Sequence, residues 1–559
     1  MIKGNISIKR INGKTYYVHQ YRDGNKVINR SINKDEAFKL SFETNYAKKY
    51  DLNQLYSHIF NTDVNYGSSL YSLISNYPNY KKRFLFDDIH NFLFDTQMTG
   101  KVLALYGLRR TGKTTLIFQS IIDMDLSDFS KAAYIRISSK DSFYSLKEDL
   151  EFLTLHGFKY IFIDEITLLE DFISMASVLS DIFGLRSKVV LSGTDSLGFM
   201  IAKYNELFDR VIMLHTTYIS FKEFAAVLDI DSIDKYIEYG GTMSLEGVDY
   251  NAERINGGQR LNEYVDSAIA HNIEHSLKYY HDGDHFFSLY SLFEKGELTN
   301  VINRLVEDVN HRFAISVIER AFKSHDYGSL KQLISKQKEE DVSSSLKNVN
   351  EDELLETLMD SLAIINREEQ KHKIDDNVIK EIEEYLDILD LCKTIDVVNS
   401  STFVVEKRKV FIQPGLRYAQ AKALLEALMS QEGIRSLPLK IRNIVEDKLL
   451  SDIKGRMLEE IVLYQSSVAN KDTFKLLFPI GEIDMVTLNN NDETSNIYEI
   501  KYSKSINSQQ YNHLHNKDYL TIVENAYYPI KEKIVLYKGE DALIDDIQYR
   551  NVEKYLRSL

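Results

Sequence analysis

One cysteine in 559 residues, Cys392, excludes an intramolecular disulfide and fits a reducing compartment. Set in ILDLCKTI, it reads as a small buried hydrophobe. No uninterrupted apolar run approaches the roughly 20 residues a helix needs to cross a bilayer, so no membrane span is expected. The start, MIKGNISIKR, lacks the apolar stretch of a secretory signal, and a cytoplasmic location is expected. Positive charge is scarce too. With 68 Lys+Arg against 83 Asp+Glu, the formal net charge of −15 does not advertise a nucleic-acid binder. The deficit is uneven. Residues 1–90 carry 14 basic against 8 acidic side chains, which makes them the best electrostatic candidate for such a partner. The remaining composition, 44% hydrophobic and 27% charged, is that of an ordinary globular protein. At one domain per ~150 residues, about three to five domains are expected.

The stretch GLRRTGKTT fits the phosphate-binding pattern G-x-x-x-x-G-K-[ST] through Gly107, Gly112, Lys113 and Thr114. Val102 to Tyr106 reads as a strand feeding the loop, and Leu116-Ile117-Phe118 as the helix leaving it. Main-chain N–H groups from Gly107 through Thr111 to Thr115 would curl around phosphate oxygens, helped by the partial charge of the helix N-terminus. Lys113 would reach the β- and γ-phosphates of ATP, and Thr114 would ligate Mg²⁺. Arg109 and Arg110 would contact phosphate or pin the loop to acidic neighbours. KYIFIDEI is a buried strand ending in two carboxylates. Asp164 would hold Mg²⁺ through water, and Glu165 would act as general base on the attacking water. The run Lys188 to Asp195 ends in polar residues, so Ser192 and Thr194 would sense the γ-phosphate. This order suits a P-loop ATPase with an extra strand between its two signatures. Arg210 is a candidate arginine finger or sensor, or equally a structural ion-pair partner.

Residues 1–31 predict a three-stranded β-meander with turns at Asn12-Gly13 and Asp23-Gly24. Its basic residues, among them Lys9, Arg10, Arg22 and Arg30, stand beside Tyr16, Tyr17 and Tyr21. They offer a face for nucleic acid, or more simply a solvated sheet face, which is the preferred reading. Asn33 and Glu36 form a capping box opening a helix to about Tyr50. The Asn-, Tyr- and Ser-rich stretch up to about Asp88, with a basic Lys81-Lys82-Arg83 cluster, reads as a connector packed on the next domain. Asp229, Asp231 and Asp234 lack the glycine and terminal glutamate of a calcium loop, and helix capping accounts for them better. His281, Asp282, Asp284 and His285 lie in a turn sequence, which outweighs metal binding.

Residues 446–559 carry a second constellation. GRMLEEIVLYQ predicts a helix bearing Glu459, GEIDMV a strand bearing Asp484, and IYEIKYS a returning strand with Glu499 and Lys501. Residues two apart on a strand share a face, and a hairpin brings Asp484 beside Glu499 and Lys501. Three carboxylates and a lysine are what a metal-dependent phosphodiesterase needs. Asp484, Glu499, Glu459 and the Ile500 carbonyl would hold one or two Mg²⁺ ions, and Lys501 would orient the water or neutralise the transition state. Alone, E-x-K also fits a surface hairpin paired for solubility. The region holds 14 basic and 19 acidic residues, a poor balance for gripping a polyanion.

Together GLRRTGKTT, YIFIDEI, VVLSGTDSLGF, TTYISFKEF and YIEYGG resemble the prokaryotic AAA-type ATPases fused to a C-terminal PD-(D/E)XK nuclease-like domain. The resemblance covers about Gly100 to Ser505 and leaves the N-terminal sheet outside. It implies a multidomain α/β chain with an AAA-type (ASCE) P-loop parallel sheet, a helical lid, a winged-helix-like region and a restriction-endonuclease-like α/β domain. The expected layout is 1–50 β-meander plus helix, 51–90 connector, 91–225 ATPase core, 226–300 lid, 301–445 helical and winged-helix-like region, and 446–559 nuclease-like domain. The winged helix is placed on a helix ending near Leu391, strands at Thr394–Val398 and Lys409–Ile412, and the helix Tyr418–Ser430. By the family pattern the nuclease motif is matched at Glu459, Asp484, Glu499 and Lys501. The implied activity is ATP hydrolysis coupled to Mg²⁺-dependent cleavage of nucleic acid, DNA foremost, in defence against mobile elements, with a homo-oligomer as a possible form. The alternatives are a nucleotide-operated switch, or a DNA-binding ATPase, whose nuclease-like domain is non-catalytic.

Overall fold

Val102 to Tyr106 is apolar on both faces of a strand, so it must be covered on both sides, and this is how the first half of the chain is built. The computed structural model describes residues 4–11, 14–41, 58–78, 80–97, 99–207, 209–243, 269–270, 277, 287–323, 376–389 and 391–559. The chain divides between Thr216 and Thr217 into two compact units. Asn12-Gly13, the helix beyond Ser41, and His281, Asp282, Asp284 and His285 lie outside the described residues.

The first unit opens with β1 (Gly4–Ile11), β2 (Lys14–Asp23) and β3 (Lys26–Ile32), an antiparallel meander. Asp23 pairs with Lys26, so the turn residues are Gly24 and Asn25. Gly24 has φ 59°, which a type II′ turn requires at its first central position. A six-stranded sheet follows, from β4 (Asp63–Tyr66), β5 (Val102–Tyr106), β6 (Ala132–Arg136), β7 (Tyr160–Asp164), β8 (Lys188–Gly193) and β9 (Val211–His215), in the order β4-β6-β7-β8-β5-β9. All neighbours are parallel except β4, which runs antiparallel along β6 at the edge. β8 stands between β5 and β7, the inserted strand expected between the two nucleotide signatures.

Alternating residues of β5 feed two cores. Val102 and Ala104 pack with Phe143, Leu150 and Phe183, while Leu103 and Leu105 pack with Ile117, Phe129 and Phe92. The second core also takes in Ile6, Tyr17, Ile32 and Phe38, so the meander is bound into the first unit. Its basic residues are partly engaged there. Arg10 bonds Asp125 and lies 3.8 Å from Asp128, Arg30 pairs Glu36 at 3.1 Å, and Lys34 donates to the Ile122 carbonyl at 2.6 Å. The stretch expected as a connector supplies β4, and Asp149, fully buried, accepts the Asn61 and Thr62 amides at 3.0 and 2.8 Å.

In the second unit the helix Leu439–Ala469 runs about 45 Å. Ile441, Val445, Leu449, Ile453 and Met457, four residues apart, lie in its buried stripe, with Leu458 and Val462 continuing it. It packs on a mixed sheet of β10 (Cys392–Asn399), β11 (Val405–Phe411), β12 (Thr473–Leu477), β13 (Glu482–Asn489), β14 (Thr494–Lys501), β15 (Ile530–Tyr537), β16 (Ala542–Ile544) and β17 (Ile547–Asn551), ordered β11-β10-β12-β13-β14-β15-β17-β16. One expectation is corrected here. The hairpin assigned to a winged helix is the edge of this eight-stranded sheet, because β10 bonds β12 in parallel from Asp396–Phe474 to Asn399–Leu477. Cys392 on β10 is buried as expected, and burial pushes its thiol up to about 12.

Of the stretch 226–300 expected as the lid, residues 244–268, 271–276 and 278–286 lie outside the described residues. The described helices Phe221–Leu228 and Ile233–Tyr239 pack within this unit, sharing a core with Val445, Leu449 and Ile453. Gln465 accepts the Phe221 amide at 3.1 Å and donates to the Tyr236 hydroxyl at 3.0 Å. The glycines of YIEYGG serve close packing. The Gly240 carbonyl accepts the Gly415 amide at 2.9 Å, and a Cβ on Gly241 would lie 2.9 Å from Gln413 Cγ. Of the three aspartates nearby, Asp234 is an ion-pair partner and Ser232 is the cap. Lys538 Nζ reaches both Asp234 oxygens at 2.8 Å, and Tyr502 donates to one of them. Burial alone would raise the Asp234 carboxyl, but Lys538 and Tyr502 outweigh it and hold it below the ordinary value. Its contribution is therefore present above the unfolded pKa of about 4 and lost as the pH falls through the folded one. Asp234→Asn is expected to cost about 2 kcal/mol in urea melts at pH 7, with the gap closing toward about pH 3. An equal gap at both pH values would refute this.

Candidate active sites

Between β5 and the helix Lys113–Asp123 the backbone turns left-handed at Gly107 (φ 137°), Arg110 (φ 66°) and Gly112 (φ 88°). Such turns aim consecutive N–H groups into one hollow, and Gly112 carries no side chain to cap the helix start. Lys113, 6% exposed, turns back across that hollow and donates to the Gly107 and Leu108 carbonyls at 2.9 and 2.8 Å. Burial lowers its ammonium to about 8, against the opposing pull of Glu165 and Asp164. These groups suit a triphosphate: an amide-lined hollow with a buried cation held by carbonyls that phosphate oxygens would replace.

Asp164, at the tip of β7, is 3% exposed and takes three hydroxyls. Thr114 and Tyr134 both donate to Oδ2 at 2.9 Å, and Ser192 donates to Oδ1. A carboxylate and a threonine hydroxyl side by side are hard oxygen donors of the kind Mg²⁺ takes. Glu165 follows in the left-handed region (φ 58°), a strained placement for a glutamate, and its amide bonds Ser192 Oγ at 3.4 Å. Burial raises its carboxyl, Lys113 draws it back, and Asp164 adds to the rise. A carboxylate held toward neutrality beside the hollow is suited to accept a proton from water. Thr194 follows β8 at the same end of the sheet.

Other predicted residues stand differently. Thr111 is fully buried and bonds the Leu108 carbonyl and Thr216 Oγ1, at 2.8 and 2.7 Å, so its side chain braces the loop. Thr115 bonds the Tyr77 hydroxyl at 2.7 Å. Arg109 and Arg110 are exposed. Arg210 is at the wrong end of the sheet for a sensor of its own chain's nucleotide. Val102 pairs with Val211 and Tyr106 with His215, so Arg210 precedes the strands where the loop follows them, about 15 Å along β9. It pairs Asp181 at 2.8 Å.

Sequence reasoning missed Arg83, read only as part of a basic cluster. It is 5% exposed, and its Nη1 donates to the Thr111 and Thr216 carbonyls at 2.6 and 2.9 Å. The guanidinium ties the phosphate loop to the end of β9, two segments more than a hundred residues apart. Nothing local in the sequence announces that. Arg83→Ala leaves two buried carbonyls short of a donor, and a loss of about 2–4 kcal/mol is expected by denaturant unfolding. A loss under about 0.5 kcal/mol would remove the bracing role.

In the second unit the register puts Asp484 one step beyond the Met485–Tyr498 pair, opposite Glu499. Asp484 Oδ2 accepts the Ile500 amide at 2.9 Å, and Lys501 Nζ lies 3.3 Å from that oxygen and 2.5 Å from Glu499 Oε2. His513 Nδ1 meets Glu499 Oε1 at 3.2 Å. Glu459 stands on the other side of Asp484, where one oxygen each of Glu459, Glu482 and Asp484 lie within 4.8 Å of one another. Lys475 sits among these three, and Arg456 Nη1 is 2.5 Å from Glu459. Glu482, Lys475, Arg456 and His513 were not foreseen. Only Glu482 had a readable signal, since it shares a strand face with Asp484.

Charges here are strongly coupled. Burial would raise Asp484, but Lys501, Lys475 and the Ile500 amide hold it well below the carboxylate range. Burial and the Asp484 charge push Glu499 up to about 6 against Lys501. Lys501 is raised despite its burial, by Asp484 and Glu499. Asp484 and Glu499 thus bring two buried carboxylates together across β13 and β14, with Lys501, 32% exposed, bonded to both, and carboxylate oxygens are donors that divalent cations take.

Residues 99–225 match the family described as AAA domain. No curated protein matches the chain. Among solved structures, S. cerevisiae Hsp104 in its extended casein complex is 17% identical over 26% of this chain and 28% of its own, with a TM-score of 0.21. The Aeropyrum pernix ORC1 protein in complex with DNA is 12% identical over 66% of this chain and 97% of its own, at 0.24. The S. cerevisiae Hsp104–ADP complex is 15% identical over 68% and 52%, at 0.22. Likeness this weak says nothing about what the chain binds. No described helix is long and apolar enough to cross a membrane.

Proposed function

Starting from an AAA-type P-loop ATPase domain at residues 99–225, we propose that this chain hydrolyses ATP with Mg²⁺ and couples turnover to Mg²⁺-dependent cleavage of nucleic acid, DNA foremost, by its second unit. The observation that carries the cleavage half is the pairing of Asp484 and Glu499 across two strands, both bonded to Lys501. In this reading Asp484, Glu499 and the Ile500 carbonyl hold the ion, which lowers the pKa of a bound water and offsets charge on the scissile phosphate. Lys501 orients that water or neutralises the phosphate. In the first unit Lys113 and the loop amides hold the triphosphate, Thr114 and Asp164 the ion, Glu165 activates water, and Ser192 and Thr194 follow the γ-phosphate. Thr216, braced against Thr111 at 2.7 Å, is the last residue before the second unit, which supports a covalent route for nucleotide-dependent movement.

Arg210 would touch nucleotide only in a homo-oligomer. The setting we favour is cytoplasmic defence against mobile elements. The decisive test is incubation of the full chain with single- and double-stranded DNA and RNA, Mg²⁺ or Mn²⁺, with and without ATP. Cleavage stimulated by ATP is expected. ATP turnover without scission of any substrate would leave the second reading, a nucleotide-operated switch, which the internal neutralisation of the carboxylates by Lys475, Arg456 and Lys501 favours.

A further inference from the structure

Lys475 is 2% exposed, which is rare for an ammonium and costly unless it is fully paired. It is paired three ways. Nζ lies 3.0 Å from Glu482, 3.5 Å from Glu459 and 3.5 Å from Asp484 Oδ1. A local irregularity of the sheet lies opposite it. Between the pairs Phe474–Val486 and Leu476–Ile483, Lys475 alone on β12 faces both Asp484 and Met485 on β13, which is a β-bulge. Bulges of this kind recur beside functional sites, where they redirect one side chain.

Asp484 therefore looks two ways. Its Oδ1 meets Lys475, and its Oδ2 meets the Ile500 amide and Lys501. The two lysines are not equivalent. Lys501 is 32% exposed and has water to retreat into, whereas Lys475 has none. Arg456 closes the far side of the triad through Glu459.

Resting on the metal-dependent reading of this site, we propose that Lys475 is a built-in cation that fills the Glu459–Glu482–Asp484 corner, so that the second unit takes one divalent ion, on the Asp484–Glu499 side. Glu459 and Glu482 are then positioning residues that hold Lys475, and not metal ligands. The fixed ammonium supplies one of the two positive charges a second ion would bring, and it does so without dissociating.

The test is Mn²⁺ binding to the full chain, followed by the loss of the free-ion electron paramagnetic resonance signal. Nucleotide is left out, and Asp164→Asn silences the ATPase site. One ion is expected for this chain, two for Lys475→Met, and one for Lys475→Arg. Two ions with Lys475 intact, or the same count with Lys475→Met, would overturn the assignment. No ion with Lys475 present would overturn the one-ion assignment too, and the cleavage reading would lose its metal with it. Glu482→Gln, which leaves Lys475 in place, guards against misfolding of the methionine variant. Its count should stay at one, and a fall would also overturn the assignment.

Discussion

Lys113→Ala should lower ATP turnover by about 10²–10³-fold, the usual cost of removing one preorganised charge at a phosphoryl-transfer site. The ammonium is buried, so its field on a bound phosphate is little screened by water. Stability should change far less. The variant loses two charge-assisted bonds, to the Gly107 and Leu108 carbonyls, but it also sheds the desolvation that lowers Lys113 to about 8. These effects oppose each other. Phosphate release and fluorescent-nucleotide binding would be measured beside a thermal melt. Turnover within a few-fold of the parent chain, with an unchanged melt, would remove Lys113 from the chemistry. Met at the same position controls for lost packing.

Asp484→Asn should reduce cleavage by about 10³-fold or more while ATP turnover continues, since an amide neither binds a divalent ion strongly nor polarises its water. Counting charges shows why the fold should survive. Glu459, Glu482, Asp484 and Glu499 face Arg456, Lys475 and Lys501, so the substitution balances a cluster that carries one excess negative charge. The usual penalty for stranding a buried ion, about 3–5 kcal/mol, is thereby largely avoided. Cleavage that persists in this variant would assign the scission to another site or a contaminant. Loss of both activities together would show that the two units fail as one.

Some of this was readable from the chain because the chemistry is local. Nine consecutive residues, Gly107 to Thr115, contain the glycines, the lysine and the hydroxyl of a phosphate loop, and their backbone geometry follows from their own φ preferences. Period-two alternation likewise put Glu499 with Lys501 on one strand face, and a short hairpin brought Asp484 opposite. Arg210 shows the limit. Its neighbours look like a strand entrance in sequence, yet whether that entrance lies at the loop's end of the sheet depends on β9 pairing in parallel with β5.

The sequence by itself determined the identity of the ATPase core and the pairing of Asp484, Glu499 and Lys501, because spacing along a few turns of backbone suffices to place those groups. Only the tertiary structure decided that Arg83 braces the phosphate loop, that the hairpin from Cys392 extends the second sheet, and that Lys475 stands among three carboxylates. Each depends on strands or helices that meet across long stretches of chain, and such meetings are settled by which apolar faces must be covered together.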